Sequence, residues 1–264
     1  MYATIIIDDP LLRENYGFLN YKRLLDLMDK HNFHTSIAFI PWNYNRTDKR
    51  IATLFKARPD RFSLCVHGCD HTRGEFGCTD KNYLDMKIKL ATARMIEHEK
   101  RTGIPFDNIM VFPQGVFSNE ALEILKENGY LAAVNTELPI NGKIKSDFPF
   151  FQRYKPENIT NQDPAFIVLH HEYFKNNGYE RLSSFVDGLN SRGAKWGSLL
   201  SVINHFVESK ENRYVDFDGL KNRGIKQRVK IAMRRYASEF RDNYLCKNDF
   251  LLNYAKQVKK AISK

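Results

Sequence analysis

Acidic and imidazole side chains follow two separate apolar runs of this sequence. The apolar run of residues 3–7 ends at Asp8 and Asp9, and a second apolar run ends at His67, with His71 four residues later. Both runs have the composition of buried strands in a parallel sheet, whose carboxyl ends meet at one edge. One carboxylate and two imidazoles form a three-ligand set that leaves a position on a zinc-like ion open for water. The other carboxylate would then be free to act as a base on that water.

Each of these features also has an ordinary structural explanation. An Asp-Asp pair after a strand is often a turn or a helix cap, and a histidine pair with this spacing is often structural. Three cysteines, Cys65, Cys69 and Cys78, lie around the histidines, so a structural Cys/His zinc site is an alternative. The spacing Cys-x-His-x-Cys-x-His matches no common zinc finger, and we expect buried thiols outside any disulfide.

Composition limits the class of protein. Hydrophobic residues make up 42% of the 264 residues, which is enough for a sizeable core and excludes a disordered chain. No apolar run approaches the roughly 20 residues of a membrane-spanning helix. Because residues 3–7 already form a predicted strand, we expect no secretory signal and assign the chain to the cytoplasm or to no defined compartment.

The net charge of +10 is concentrated at the carboxyl end. Residues 221–264 hold 13 Lys/Arg and 3 Asp/Glu, whereas residues 1–220 hold 28 of each sign. Apolar residues recur at helical spacing from Ile225 to Tyr244 and again from Leu251 onward. This predicts two amphipathic helices, either packed on the rest of the chain with solvated basic faces or bound to an anionic surface or a protein partner. No recognition motif supports nucleic acid binding.

Predicted strands and helices alternate from residue 3 to about residue 207. Apolar strands are predicted at 3–7, 34–40, 62–66, 108–112, 131–134 and 166–169, and residues 136–164 lack periodicity and are predicted to form a long loop. This alternation indicates an α/β fold with parallel strands and crossover helices. The number of strands favours a distorted (β/α) barrel of about seven parallel strands, followed by the basic helical extension.

Four motifs follow one another in this region: Asp8-Asp9, His67-x-x-x-His71, Phe112-Pro113-Gln114-Gly115 and Val168-Leu169-His170-His171. In this order they resemble the motifs of the NodB-homology polysaccharide deacetylases, metal-dependent esterases on a distorted (β/α) barrel. The resemblance implies a catalytic domain over residues 1–215, with residues 216–264 as an extension. It implies an enzyme that removes N- or O-linked acetyl groups from a carbohydrate, using one divalent ion such as Zn²⁺ or Co²⁺.

The resemblance also assigns roles to individual residues. The metal ligands would be Asp9, His67 and His71. Asp8 would be the general base, and His171 would protonate the leaving group, with His170 as the competing choice. The backbone N–H of Gln114, next to Pro113, would help to bind the oxyanion. Trp42, in a loop after a predicted strand, is a candidate for stacking on a sugar ring.

The motifs depart from the family pattern at two positions. The glycine that usually follows the Asp-Asp pair is missing, because Pro10 comes directly after Asp9. The arginine that usually pairs with the base is replaced by Val111, and Arg13 or Arg73 are candidate substitutes. Val111 and the missing glycine favour a second hypothesis, a catalytically silent barrel that binds glycans or serves in assembly, whereas the intact ligand set and His171 favour the enzyme.

Overall fold

The fold is built on one curled sheet of parallel strands. The computed structural model describes residues 1–207, 225–248 and 251–256. Its strands are β1 (Tyr2–Asp8), β2 (Asn15–Tyr16), β3 (Leu19–Asn20), β4 (Thr35–Phe39), β5 (Phe62–His67), β6 (Asp107–Val111), β7 (Ala132–Asn135), β8 (Phe150–Gln152), β9 (Ala165–Leu169) and β10 (Lys195–Trp196). Its α-helices are α1 (Tyr21–His31), α2 (Lys49–Ala57), α3 (Lys81–Thr102), α4 (Asn119–Glu127), α5 (Gly178–Asn190), α6 (Leu199–Ile203) and α7 (Ile225–Asn243).

The strands are arranged in the order β1-β4-β5-β6-β7-β8, and β9 pairs with the other side of β1. All of these neighbours are parallel. A parallel bridge between Tyr154 and Ile167 joins the segment after β8 to β9, so the two edges of the sheet meet. The predicted α/β fold with a distorted barrel of about seven parallel strands is therefore confirmed.

Local sequence signals set the helix ends. Asp80 accepts a hydrogen bond from the Tyr83 amide and begins α3, and Gly103 ends it in the left-handed conformation. Ser118 caps α4 in the same way as Asp80 caps α3.

Alternate residues of the strands point to opposite sides of the barrel wall. Ile6, Cys65 and Phe166 pack together inside the barrel, with other residues of the same parity, while Ile5 and Ile7 pack against the surrounding helices. The helix α6 closes the amino-terminal end, because the Leu199 amide donates to Ser36 Oγ and the Leu200 amide to Asp107. The carboxyl end of the barrel is left for the polar residues.

The structure differs from the sequence prediction in the region 136–164. A long loop was predicted there, but Phe150–Gln152 form β8, which pairs in parallel with β7. Three residues are too few to show an alternation of apolar and polar side chains in the sequence. The strand forms because it pairs with its neighbour in the sheet. Arg153 follows this strand directly.

The basic extension begins with the predicted helix. α7 docks on the hairpin formed by β2 and β3, where Tyr16 donates its hydroxyl to Asp242 at 2.7 Å and the Gly17 amide donates to Asn243 at 2.9 Å. Residues 251–256 are also helical. The proposed boundary at 215/216 and the end of the second predicted stripe, Val258 and Ile262, lie outside the described residues. Within the described ranges, no helix combines the length and apolar character needed to cross a membrane.

Candidate metal centre and active site

Strand alternation places the first two polar residues inside the barrel. Asp8 lies two residues after Ile6 and His67 two residues after Cys65, so their side chains share the inward face at the carboxyl end. His67 Nδ1 lies 3.0 Å from the carbonyl oxygen of Val111. Because a carbonyl can only accept, Nδ1 carries the proton and Nε2 keeps its lone pair.

Asp9, His67 and His71 converge at this end of the barrel. Asp9 Oδ1 lies 3.3 Å from His67 Nε2 and 2.9 Å from His71 Nε2. Asp9 and His71 both have left-handed backbones, with φ of 77° and 55°, which direct these side chains toward each other. Such strained φ values in non-glycine residues are concentrated at functional sites.

These three residues fit a divalent cation. One ligand atom from each lies within 4.8 Å of the others. Asp9 Oδ1 is buried, lies close to both imidazole nitrogens, and accepts no hydrogen bond from any other group among the described residues. Burial opposes ionisation of Asp9, but the adjacent imidazoles outweigh it and hold the pKa of this carboxyl well below its usual value. A carboxylate with two imidazole nitrogens and an unsatisfied oxygen is the donor set of an open zinc-type site.

A buried carboxylate shapes the loop that carries His71. Glu75 accepts hydrogen bonds from the backbone amides of Cys69, Asp70 and His71, at 2.9, 3.1 and 3.0 Å. Three amides directed at one carboxylate fix the backbone between the two histidines. Glu75 therefore helps to set the position of His71.

Two cations from α3 neutralise this loop. Lys87 Nζ lies 2.6 Å from Asp70 and 3.3 Å from Glu75, and Arg94 donates to Asp70 at 2.7 Å. All four side chains are buried. No sequence signal identified Lys87 and Arg94, because both lie outside the four motifs.

The base candidate has an arginine partner that the sequence analysis missed. Arg153 donates to both oxygens of Asp8, at 2.6 and 2.7 Å, and both side chains are buried. Burial alone would raise the pKa of Asp8, but the guanidinium outweighs it and the pKa is lowered. Arg153 lies in the segment after β8, 145 residues from Asp8 in sequence. It does not occupy the position of Val111.

The two adjacent histidines occupy different environments. His170 is 52% exposed, and its Nε2 lies 3.8 Å from Asp8. His171 is only 3% exposed and lies between Gly17 and α7, with Nε2 3.6 Å from Asp242. The alternation of side chains along β9 predicts which of the two histidines faces the inside of the barrel. Phe166 points inward, and His170 lies four residues later on the same side.

A cavity of about 650 Å³ opens over these groups. Asp8, Asp9, His67, His71 and His170 line it, together with Gln114, Glu137, Arg153, Lys155, Glu157, Glu172 and Tyr173. Gln114 has a left-handed backbone with φ of 57°, and Pro113 packs against Gly68 beside the metal ligands. The cavity is thus lined by the candidate ligands, by both members of the Asp8–Arg153 pair and by His170.

Three other predicted residues lie elsewhere. Trp42 packs under the His71 loop, with the Arg94 guanidinium 5.3 Å from its ring, and it does not line the cavity. Arg13 pairs with Glu239 of α7 at 2.8 Å. Arg73 is exposed on the loop between His71 and Glu75. Neither arginine is the partner of Asp8.

A comparison with protein-family models found no match, and neither did a comparison with curated proteins. Among solved structures, the chain is similar to a family 4 carbohydrate esterase from Bacillus anthracis, with 19% identity, a TM-score of 0.52, and coverage of 76% of this chain and 82% of that one. It is also similar to a family 4 acetyl xylan esterase from Clostridium thermocellum in complex with a cobalt ion, with 16% identity, a TM-score of 0.52, and coverage of 78% and 91%.

A third similar structure is a family 4 pseudoenzyme from Bacillus anthracis, with 13% identity, a TM-score of 0.52, and coverage of 81% of this chain and 67% of that one. At these identities the similarity establishes the fold, which is the one expected from the four motifs. It leaves the chemistry of this chain to be argued from its own residues.

Proposed function

We propose that this chain, which shares the fold of the family 4 carbohydrate esterases, is a metal-dependent hydrolase that removes N- or O-linked acetyl groups from a carbohydrate. The observation that carries the proposal is the convergence of Asp9, His67 and His71 beside the paired Asp8 in one cavity. A divalent ion held by these three ligands, Zn²⁺ or Co²⁺, would supply a Lewis acid that activates water at neutral pH.

The remaining residues have separate roles in this proposal. Asp8 is the general base, and Arg153 keeps it ionised and fixes the direction of its carboxylate through two hydrogen bonds. The backbone amide of Gln114 contributes to oxyanion binding at the cavity wall. The Asp8–Arg153 pair supports the enzyme over the silent barrel, because the charge lost at Val111 is supplied from another strand.

His170 is the residue we propose as the acid that protonates the leaving group. It is the histidine that lines the cavity, 3.8 Å from Asp8. His171, which the motif alignment favours, is buried against α7 and does not line the cavity. An imidazole has an unperturbed pKa near 6.5, which suits proton donation close to neutral pH.

The proposal is tested by metal analysis together with acetate release from a panel of acetylated oligosaccharides. We expect about one divalent ion per chain and measurable acetate release. His71→Ala should lose both, whereas Asp8→Asn should keep the ion and lose turnover, because Asp8 is outside the ligand set. Asp147→Asn, at an exposed carboxylate paired with Lys126, is the matched control and should change neither.

Two results would contradict the proposal. Full turnover in Asp8→Asn would remove the base assignment. A chain that binds the ion but releases no acetate from any substrate of the panel would favour the silent glycan-binding barrel, the state named for one of the similar structures.

A further inference from the structure

The helix α7 has its polar side chains against the barrel. Arg235 and Asp242 are buried on its inner face beside Ile231. Glu239 points inward as well and pairs with Arg13 and Arg46. A surface helix of a soluble domain normally turns its apolar stripe toward the core. Here the docked face is mostly polar.

Most of the large apolar side chains of α7 lie on the opposite face, which we call the outer stripe, and the Tyr236 ring at its edge also contacts the Arg46 guanidinium at 4.8 Å. Its members are 51–68% exposed: Val229, Met233, Tyr236, Phe240 and Tyr244. At 3.6 residues per turn they fall within about 80° of one another around the helix axis. The stripe is therefore continuous along the helix rather than a scatter of single exposed residues. Leu251 and Tyr254 are exposed in the helical segment that follows.

The charge on the outer side of α7 has one sign. Lys230, Arg234 and Arg241 flank the outer stripe and are exposed. Both carboxylates of the helix are turned toward the barrel, where Glu239 pairs with Arg13 and Arg46 and Asp242 accepts from Tyr16, while Asp242 also pairs with Arg241 of the helix itself. Between residues 228 and 248, the solvent-facing surface thus combines aromatic and aliphatic side chains with cations and carries no exposed carboxylate.

We propose that the outer stripe of α7 binds an anionic lipid surface. An amphipathic helix with aromatic and aliphatic residues on one face and Lys or Arg beside them lies in the interface of a bilayer. Each cation near an anionic leaflet adds attraction, so the missing exposed carboxylates favour this occupant. A large soluble-protein contact would not require carboxylates to be excluded from the whole face.

The docking of α7 defines where the lipid would lie relative to the barrel. The inner face of the helix contacts Tyr16 in β2 and His171 after β9, both at the carboxyl edge. Because the outer stripe is on the opposite side of the same helix, a bound bilayer would lie next to the edge where the cavity opens. This inference rests on α7 alone and does not depend on the proposed reaction.

Flotation of the full chain with vesicles tests the proposal without any activity measurement. One set of vesicles contains phosphatidylcholine with about one-third phosphatidylglycerol, and the other contains phosphatidylcholine alone. We expect binding to the anionic vesicles only, weakened as salt is raised from about 0.1 to 0.5 M. Phe240→Glu and Met233→Glu should each weaken vesicle binding about tenfold or more, because each places a carboxylate in the part of the helix that would enter the bilayer.

Ile140→Glu is the matched control, since Ile140 is an equally exposed aliphatic residue on the barrel, 59% exposed. It should bind anionic vesicles as the parent chain does. The proposal is overturned if the parent chain does not float with anionic vesicles, or if Phe240→Glu binds as well as Ile140→Glu. The proposal is also overturned if the outer stripe instead joins two copies of the chain. In that case the parent chain is a dimer in light scattering and does not bind vesicles, and Phe240→Glu is a monomer.

Discussion

Two regions carry charged side chains to the carboxyl edge of the barrel, and they are held there in opposite ways. The loop from His67 to Glu75 is fixed from below by buried ion pairs with α3. The helix α7 is attached by side-chain bridges at its inner face, while its apolar residues face outward. The first region is built into the core, and the second rests on the surface.

The difference teaches how firmly each region is positioned. Removing one partner of a buried ion pair leaves the other charge without compensation and costs several kcal/mol. A pair that water can reach contributes about 0–1 kcal/mol. The candidate metal ligands are therefore placed by interactions that cannot loosen one at a time, whereas α7 is held partly by pairs with an exposed partner, such as Arg13 with Glu239.

The largest effect is expected at Lys87. Lys87→Met would remove one of the cations beside Asp70 and the cation that pairs with Glu75. We expect a loss of about 5 kcal/mol in the free energy of unfolding, measured by urea denaturation. Lys81→Met, at the exposed start of the same helix, should leave the free energy of unfolding nearly unchanged, because its pair with Glu123 is exposed to water. Equal stability of the two variants would show that the loop is not held by buried charge.

Arg153→Met is expected to cost somewhat less, about 3 kcal/mol, because it leaves one buried carboxylate without its partner, whereas Lys87 pairs with two. The pKa of Asp8 is lowered in the folded state, so its contribution to stability is present above the unfolded pKa and lost as pH falls through the folded one. Without the guanidinium the pKa of Asp8 should rise, and the acid limb of any activity profile should move to higher pH.

A second substitution distinguishes this explanation from a simple packing defect. Asp8→Asn in the Arg153→Met background removes the uncompensated charge and should recover part of the lost stability in a double-mutant cycle. If the two substitutions are additive, the pair does not interact as described.

Substitutions of the two adjacent histidines should affect different properties, the stability of the fold for His171 and turnover for His170. His171→Ala removes a buried ring packed on Gly17 and α7, and we expect a loss of about 1–2 kcal/mol in thermal or urea unfolding. His170→Ala should change stability by less than about 0.5 kcal/mol but lower kcat about 100-fold or more. The reverse pattern would return the acid role to His171.

The smallest effect is expected at the attachment of α7. Glu239→Gln weakens the pairs with Arg13 and Arg46, and a loss of about 1 kcal/mol or less should appear as faster proteolysis within α7. Glu180→Gln, which breaks an exposed pair with Arg23, is the matched control and should leave the cleavage rate unchanged. A large loss at Glu239 would mean that α7 is part of the core.

The sequence was sufficient for the features that depend on local periodicity. Apolar runs predicted the parallel strands, and polar residues at their carboxyl ends predicted the group of Asp9, His67 and His71 that the structure brings together. The parity of β9 also contained the choice between His170 and His171, although the motif alignment favoured the latter. These signals are local because strands alternate every two residues.

Other features depend on contacts between distant parts of the chain. Arg153 pairs with Asp8 across 145 residues, and nothing around Arg153 in the sequence indicates that contact. Helical spacing predicted an apolar stripe on the extension, yet it could not indicate which side of α7 would face the barrel. The inner face is chosen by specific partners such as Tyr16 and Arg46, not by hydrophobicity.

The bridge between Tyr154 and Ile167 has a mechanical consequence for the active site. It closes the barrel one residue after Arg153, so the seam of the wall and the partner of Asp8 lie on the same short segment. Separation of Tyr154 from β9 would withdraw the guanidinium from Asp8 at the same moment. Opening of the barrel and loss of the Asp8–Arg153 pair would then be a single event, so the pair is assembled only while the wall is shut.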